Sequence, residues 1–249
     1  MGLYAAPRFL PAGDGAVSVE LGDEISLDAN ARVLTLERLL AGPRLPGLVD
    51  MVPTFRALLV QYDPLALSWE DLSAHLARLL PRLAGAMPPP GRAVELPCAY
   101  GGEYGPDLDE VARRLGLAPG EVVRLHAGAE HYVYFIGFTP GLPYMSGQPP
   151  ALTIPRLDRP RTKTPAGSVG IGGTQTSIYS VESPGGFWVL GRTPLALYDP
   201  AAADPILLRP ADRVRFQPID ATEFREIAAA VLGGAYRPRI VPDAPGTNT

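Results

Sequence analysis

Between His126 and Asp199 the chain meets a glycine or a proline every few residues, and this punctuation most restricts what it can fold into. β-favouring runs at 132–138, 168–172, 176–181, 187–190 and, further on, 213–217 are each short and bounded by Gly/Pro turns. Short strands with frequent turns point to a closed barrel or a sandwich rather than a doubly wound sheet. Within this stretch, polar side chains repeatedly stand beside glycines, which let a backbone turn tightly or come close to a ligand.

The first ninety or so residues have a different rhythm. Residues 16–21 alternate apolar and polar, the period of a half-buried strand. Asp28 precedes a helical pattern through Val33, Leu34, Leu36, Leu39 and Leu40 that stops at Gly42 and Pro43. Residues 49–52 and 57–62 read as strands. Ser68 is placed to cap a second helix, with Asp71 in the capping-box position and Leu72, Leu76, Leu79, Leu80 and Leu83 on its apolar face. After the stiff connector around Pro88, Pro89 and Pro90, residues 93–97 read as another strand. The order β-α-β-β-α-β is that of a ferredoxin-like split βαβ domain. The expected organisation is therefore an α+β, ferredoxin-like domain over 1–92 and a mainly-β barrel over 93–218, opened by short helices at 107–115 and 119–126. A terminal helix at 221–232 and a flexible tail complete 219–249.

Composition narrows the function classes. A formal net charge of −4 argues against a nucleic-acid partner, and no apolar run approaches the ~18 residues that would span a bilayer. The N-terminus lacks the basic-then-apolar layout of a signal peptide, and a single cysteine, Cys98, allows no internal disulfide. The expectation is a cytoplasmic globular protein.

Chemistry can be tested motif by motif. No metal site is expected, because His75, His126, His131 and Cys98 show none of the usual ligand spacings. The glycine-rich residues 167–173 lack the Gly-Lys-Ser/Thr ending of a P-loop, so no independent phosphate loop is expected there. Residues 137–141 have the outline of a nucleophile elbow around Thr139, but the next residue is Pro140, which has no N–H to offer an oxyanion. What remains is a glycine-framed polar set: His126, Arg156, Arg161, Lys163, Ser168, Gln175, Thr176, Tyr179 and Arg192. Arg156, Arg161 and Lys163, three of the four cations within 156–163, could hold a carboxylate, a carbamoyl group or a phosphate.

Several ordered elements together resemble the allophanate hydrolase subunit 1 family. They are His126, Gly137-Phe138, Pro140-Gly141, Tyr144, Pro155-Arg156, Pro160-Arg161, the run from Pro165 to Val169, Gln175-Thr176, Tyr179, the run from Ser183 to Gly186, Trp188 and the run from Gly191 to Thr193. Residues 7–14, with Ala16 and Val17, resemble the family's opening, so the likeness reaches to about Gln217. The family includes the B-type subunit of bacterial 5-oxoprolinase, the KipI-type inhibitor of a sporulation histidine kinase, and part of the carboxyltransferase domain of urea carboxylase. His131 stands where the family usually has Tyr, Thr164 where Val is common and Leu142 where Phe is common.

The resemblance implies a cyclophilin-like barrel and a cleft shared with a sister subunit of the allophanate hydrolase subunit 2/KipA family. It also implies a LamB/YcsF-type subunit in an ATP-dependent complex opening 5-oxoproline to L-glutamate, with the chain inactive alone. Its alternatives are an inhibitor docking on a histidine kinase, or a carboxyltransferase component acting on a urea-like amide. By position in the shared motifs, His126, Gln175 and Arg192 are the expected catalytic residues, with His126 as proton carrier. Tyr144, Arg156, Arg161, Lys163, Ser168, Thr176 and Tyr179 are the expected substrate-binding residues, the cations neutralising phosphate or oxyanion charge. ATP is expected to serve the complex, at no assigned site on this chain.

Overall fold

A computed structural model describes residues 2–42 and 45–242, which form two compact units meeting in sequence at Pro89 and Pro90. The expected helix stop at Pro43 and the tail over 243–249 lie outside the described residues.

The first unit runs β1 (Leu3–Pro11), β2 (Ala16–Gly22), α1 (Leu27–Leu40), β3 (Leu48–Pro53), β4 (Ala57–Tyr62) and α2 (Trp69–Leu79), the last continued by a 3-10 turn. Its antiparallel sheet has the order β1-β2-β4-β3. Alternation places Val17, Val19 and Leu21 of β2 and Leu58, Val60 and Tyr62 of β4 on one face. Against that face pack Val33, Leu36 and Leu40 of α1, and Leu72, Leu76 and Leu79 of α2 at helical spacing. Each buried leucine contributes about 2 kcal/mol. Both helices start at a serine: Ser26 Oγ accepts from Ala29 N–H at 3.1 Å, and Ser68 Oγ accepts from Asp71 N–H at 3.1 Å. Asp71 returns its carboxylate to the Ser68 hydroxyl at 2.8 Å rather than to the backbone.

The sheet departs from the expected split βαβ order at one position. The strand expected at 93–97 does not join it; the edge beside β2 is taken by β1. The two are separated only by residues 12–15, with glycines at 13 and 15, so this hairpin closes a far shorter loop than a pairing from residue 93 would.

Residues 92–100 instead found the second unit as β5 (Arg92–Tyr100). There follow α3 (Leu108–Leu115), α4 (Pro119–Ala127), β6 (His131–Ile136), β7 (Pro143–Ser146), β8 (Arg161–Thr164), β9 (Ser168–Gly172), β10 (Gln175–Ile178), β11 (Ser183–Gly185), β12 (Trp188–Arg192), β13 (Arg213–Ile219), α5 (Ala221–Leu232) and β14 (Arg239–Pro242). Seven strands close a mixed barrel in the order β12-β9-β10-β7-β6-β13-β5, sealed where Gly191 and Arg192 pair with Tyr100 and Ala99. The β13–β5 pair is parallel and the other pairs are antiparallel. Closure needs glycine at 191, because a Cβ there would stand 2.6 Å from the Ala99 carbonyl oxygen and 2.7 Å from Cys98 Sγ.

Period-2 positions such as Val94, Leu96 and Cys98 of β5, and Val214 and Phe216 of β13, fill the barrel with Val133, Met145, Val169 and Ile178. A second core, around Val111, Ala112, Val122, Ile171 and Leu190, ties α3 and α4 to the strands. Arg239–Pro242, expected as part of a flexible tail, adds a strand to β5, with Ile240 opposite Val94. The expected helix at 221–232 is α5, with Asp220 and Glu223 forming a reciprocal capping box. Outside the barrel, β8 and β11 form a two-stranded ribbon in which Ser183 faces Thr164.

Candidate functional site

Two cavities flank that ribbon, and a polar cluster lies inside the barrel. The first cavity, about 140 Å³, is lined by Phe138, Leu142, Tyr144, Arg156, Ser177, Tyr179, Pro184, Gly185, Gly186 and Phe187. Its walls are tied together by internal contacts. Tyr144 stacks on Phe135 with centroids 4.4 Å apart, and Ser177 Oγ donates to the Pro143 carbonyl at 2.8 Å. The Tyr179 hydroxyl accepts from Phe187 N–H at 3.4 Å. Gly185 passes so close to the Tyr179 ring that a Cβ would fall 1.9 Å from the phenol oxygen. Burial raises the Tyr144 pKa against the opposing charge of Arg156, so the phenol stays a neutral hydrogen-bonding group.

Arg156 supplies the cation of this cleft. Its guanidinium lies 4.6 Å over the Phe187 ring, and Nη2 donates to Gln175 Oε1 at 3.0 Å. It makes no ion pair among the described residues, so its charge remains available for an anionic group. Phe138 marks the mouth. It is 66% exposed, its backbone sits at φ 65°, and Thr139 N–H closes a tight turn onto the Gly137 carbonyl at 2.8 Å. A bulky residue in the left-handed region is a genuine outlier, and such strain concentrates at ligand clamps.

The second cavity, about 70 Å³, is lined by Glu103, Tyr104, Pro106, Arg161, Thr164, Pro165, Ser168, Val189 and Arg192. Arg161 is already paired there, 2.5 Å from Asp107 Oδ1, while Arg192 Nε donates to the Ala166 carbonyl at 2.8 Å.

The interior cluster is His126, His131, Tyr100, Thr176 and Gln148. Both histidines are 0% exposed. Thr176 donates its only hydroxyl proton to Gln148 Oε1 at 3.0 Å, so at the 3.5 Å contact with His126 the imidazole Nε2–H is the donor. Nδ1 of His126 then accepts from the Tyr100 hydroxyl, 2.8 Å away. His131 Nε2–H donates to the His126 carbonyl at 3.0 Å, leaving His131 Nδ1 buried with no partner. Burial, with the neighbouring His131, holds the His126 pKa well below the usual 6.5, and burial lowers His131 to about 4. Burial likewise holds the Tyr100 phenol well above its usual value. The cluster is neutral and closed at pH 7.

A family model described as carboxyltransferase domain, subdomain C and D, matches residues 7–208. The chain belongs to this family. Among curated relatives, the B-type subunit of 5-oxoprolinase from Escherichia coli O157:H7 is 42% identical over 209 residues, covering 83% of this chain and 93% of that protein. The Bacillus subtilis protein of the same name is 37% identical over 222 residues, covering 85% of this chain and 92% of its own length. Among solved structures, TTHA0988 aligns at 40% identity and TM-score 0.72 over 83% of this chain; the match spans only 40% of that longer polypeptide. The K. lactis urea amidolyase aligns with TM-score 0.79 over 95% of this chain and 16% of its own, at 22% identity, a likeness of fold.

The residues expected to share one site are distributed over these three places. Tyr144, Arg156 and Tyr179 line the first cavity, with Gln175 bonded to Arg156 beside it. Arg161, Ser168 and Arg192 line the second. His126 and Thr176 lie in the barrel interior and line neither cavity. Lys163 is exposed and pairs with Glu182 at 3.2 Å. The three expected catalytic residues, His126, Gln175 and Arg192, are therefore not brought together. Phe138, Gly185 and Thr164 stand in the sequence only as family motif elements or departures, not as expected site residues, yet with Phe187 they line the two cavities. A large aromatic between Gly137 and Pro140 was the visible signal for Phe138. No helix of the described residues is long and apolar enough to cross a membrane.

Proposed function

We propose that the chain is a subunit of a cytoplasmic, ATP-dependent 5-oxoprolinase complex and contributes the Arg156 cleft to its substrate site. The observation that carries this reading is the match to B-type 5-oxoprolinase subunits, 37–42% identical along 92–93% of their length. In support, the cleft has the size and chemistry for a small lactam acid. Arg156 can hold the carboxylate of 5-oxoproline, the Tyr144 and Tyr179 phenols can bond its amide, and Phe187 and Leu142 can cover the ring.

Opening a lactam requires activation of an unreactive amide. Transfer of the γ-phosphoryl group of ATP to the amide oxygen makes the ring carbon open to attack by water. Expulsion of the ring amine followed by hydrolysis of the acyl phosphate gives glutamate, ADP and phosphate. Two waters are consumed overall. Cations positioned for the developing charge would lower the barrier. ATP is assigned to the complex and not to a site on this chain. The partners are a sister subunit of the allophanate hydrolase subunit 2/KipA family and a LamB/YcsF-type subunit, and the cleft is completed by the sister subunit. The His126 cluster serves the barrel rather than proton transfer, since it lines neither cavity.

The test is to co-purify the three chains and assay 5-oxoproline-dependent ATP hydrolysis. A stably associated, soluble complex without turnover overturns the proposal. Inhibition of a histidine kinase by this chain alone would replace it.

A further inference from the structure

We propose that the second cavity binds a small phosphate-type oxyanion. A volume of about 70 Å³ corresponds to roughly two waters at ~30 Å³ each, room for one tetrahedral anion and too little for a nucleoside.

Three lining side chains keep hydrogen-bonding capacity that an oxyanion would use, and one of them, Thr164, is a buried orphan. Arg192 uses Nε on the Ala166 carbonyl and makes no ion pair among the described residues, which leaves both terminal amino groups as charged donors. Thr164 is 1% exposed, and its Oγ1 is buried without any hydrogen bond. A buried hydroxyl left unsatisfied costs about 1–3 kcal/mol, and an acceptor oxygen in the cavity would remove that penalty. Ser168 is 2% exposed, and its hydroxyl bonds to no described group.

The other charges select among anions. Arg161 is neutralised by Asp107, so Arg192 is the uncompensated cation. Glu103 lines the same cavity, and its carboxylate disfavours a fully ionised sulfate. It can accept a hydrogen bond from the P–OH of hydrogen phosphate, so phosphate is the better fit. Neither the glycine-rich P-loop pattern nor a helix N-terminus is involved; the donors are side chains of β8, β9 and β12. The ribbon gives β8 to this cavity and β11 to the Arg156 cleft. Use of the site for the phosphoryl group in lactam opening rests on the function proposed above; the binding itself does not.

Calorimetric titration of the full chain with inorganic phosphate, at ionic strength held constant with chloride, tests the proposal. One saturable site is expected, with sulfate binding more weakly at neutral pH. Arg192→Gln should weaken phosphate at least about ten-fold and Thr164→Val about five-fold, the losses for a charged and a neutral hydrogen bond. Arg156→Gln should leave it unchanged. Thr164→Val should be no less stable than wild type in phosphate-free buffer, which separates lost binding from lost folding. Heats no different from those of chloride, sulfate binding as tightly as phosphate, or wild-type affinity in both Arg192→Gln and Thr164→Val would each overturn the proposal. No lactam or partner subunit is needed, so failure here leaves the 5-oxoprolinase reading standing, and an inactive complex leaves the phosphate site standing.

Discussion

Arg161 Nη2 lies 2.5 Å from Asp107 Oδ1, and the other oxygen of Asp107 accepts from Val189 N–H at 2.6 Å. One carboxylate thus joins the start of α3, the β8 ribbon strand and the barrel strand β12. Asp107 is 8% exposed, so its charge is tolerable only with these partners. Asp107→Ala removes the anchor from three elements and should lower unfolding free energy by about 3 kcal/mol, read from urea denaturation. Arg161→Ala should cost a similar amount, because it strands a buried carboxylate with Val189 N–H as its remaining partner. A double-mutant cycle showing no coupling between the two would refute this account of the pair.

The buried histidines predict acid sensitivity with a definite sign. Their folded pKa values are lowered, His131 to about 4 and His126 well below 6.5. In the unfolded chain both take up a proton near 6.5. Below that pH the unfolded state binds more protons, so stability is fully present above about 6.5 and is lost as pH falls towards 4. Each histidine adds up to about 1.4 kcal/mol per pH unit to the slope. The groups around the pair are Tyr100, Thr176 and Phe216, none of them an anion that could stabilise an imidazolium. Denaturation series between pH 4.5 and 7.5 should show His131→Phe with a shallower slope than wild type; equal slopes would refute the assignment.

Much of this fold was legible in the sequence because local rules acted alone. Ser68 caps its helix as its neighbours demand, and the apolar positions of β2, β4, α1 and α2 face inward as their periods require. What escaped was set by competition between distant segments. Residues 93–97 carry a strand pattern that suits either unit, and only the nearer partner, β1, decides where they go. The site escaped for a related reason. Gln175 and Arg192 stand beside similar glycine-rich turns while His126 ends a helix, and pleat parity sends Thr176 into the barrel while its neighbour Gln175 reaches Arg156. Residue types were readable; which face of a closed sheet each would take depended on the closure.

Arg156 carries the only guanidinium lining the first cleft among the described residues. Replacing it with Gln in the assembled complex should raise the KM for 5-oxoproline about 10–100-fold, the loss of a charge-assisted hydrogen bond, with a smaller effect on kcat. Gln175→Ala, which only frees Arg156 to move, should raise KM by less. Steady-state kinetics at varied 5-oxoproline decide between them, and an unchanged KM in Arg156→Gln would place substrate elsewhere.

Phe138 offers the sharpest separation of stability from function. Its φ of 65° is unfavourable for any side chain with a Cβ, by about 1–2 kcal/mol, and 66% exposure means that its ring buries little in return. Phe138→Gly should therefore leave the chain as stable as wild type or more so by about 1 kcal/mol, with the same Gly137–Thr139 turn. If the strained backbone is kept because it presents the ring at the cleft mouth, the same variant should bind 5-oxoproline several-fold more weakly in the complex. Thermal unfolding and steady-state kinetics on one preparation read both effects. A variant that is less stable, or equally tight for substrate, would show that the conformation serves the loop and not the cleft.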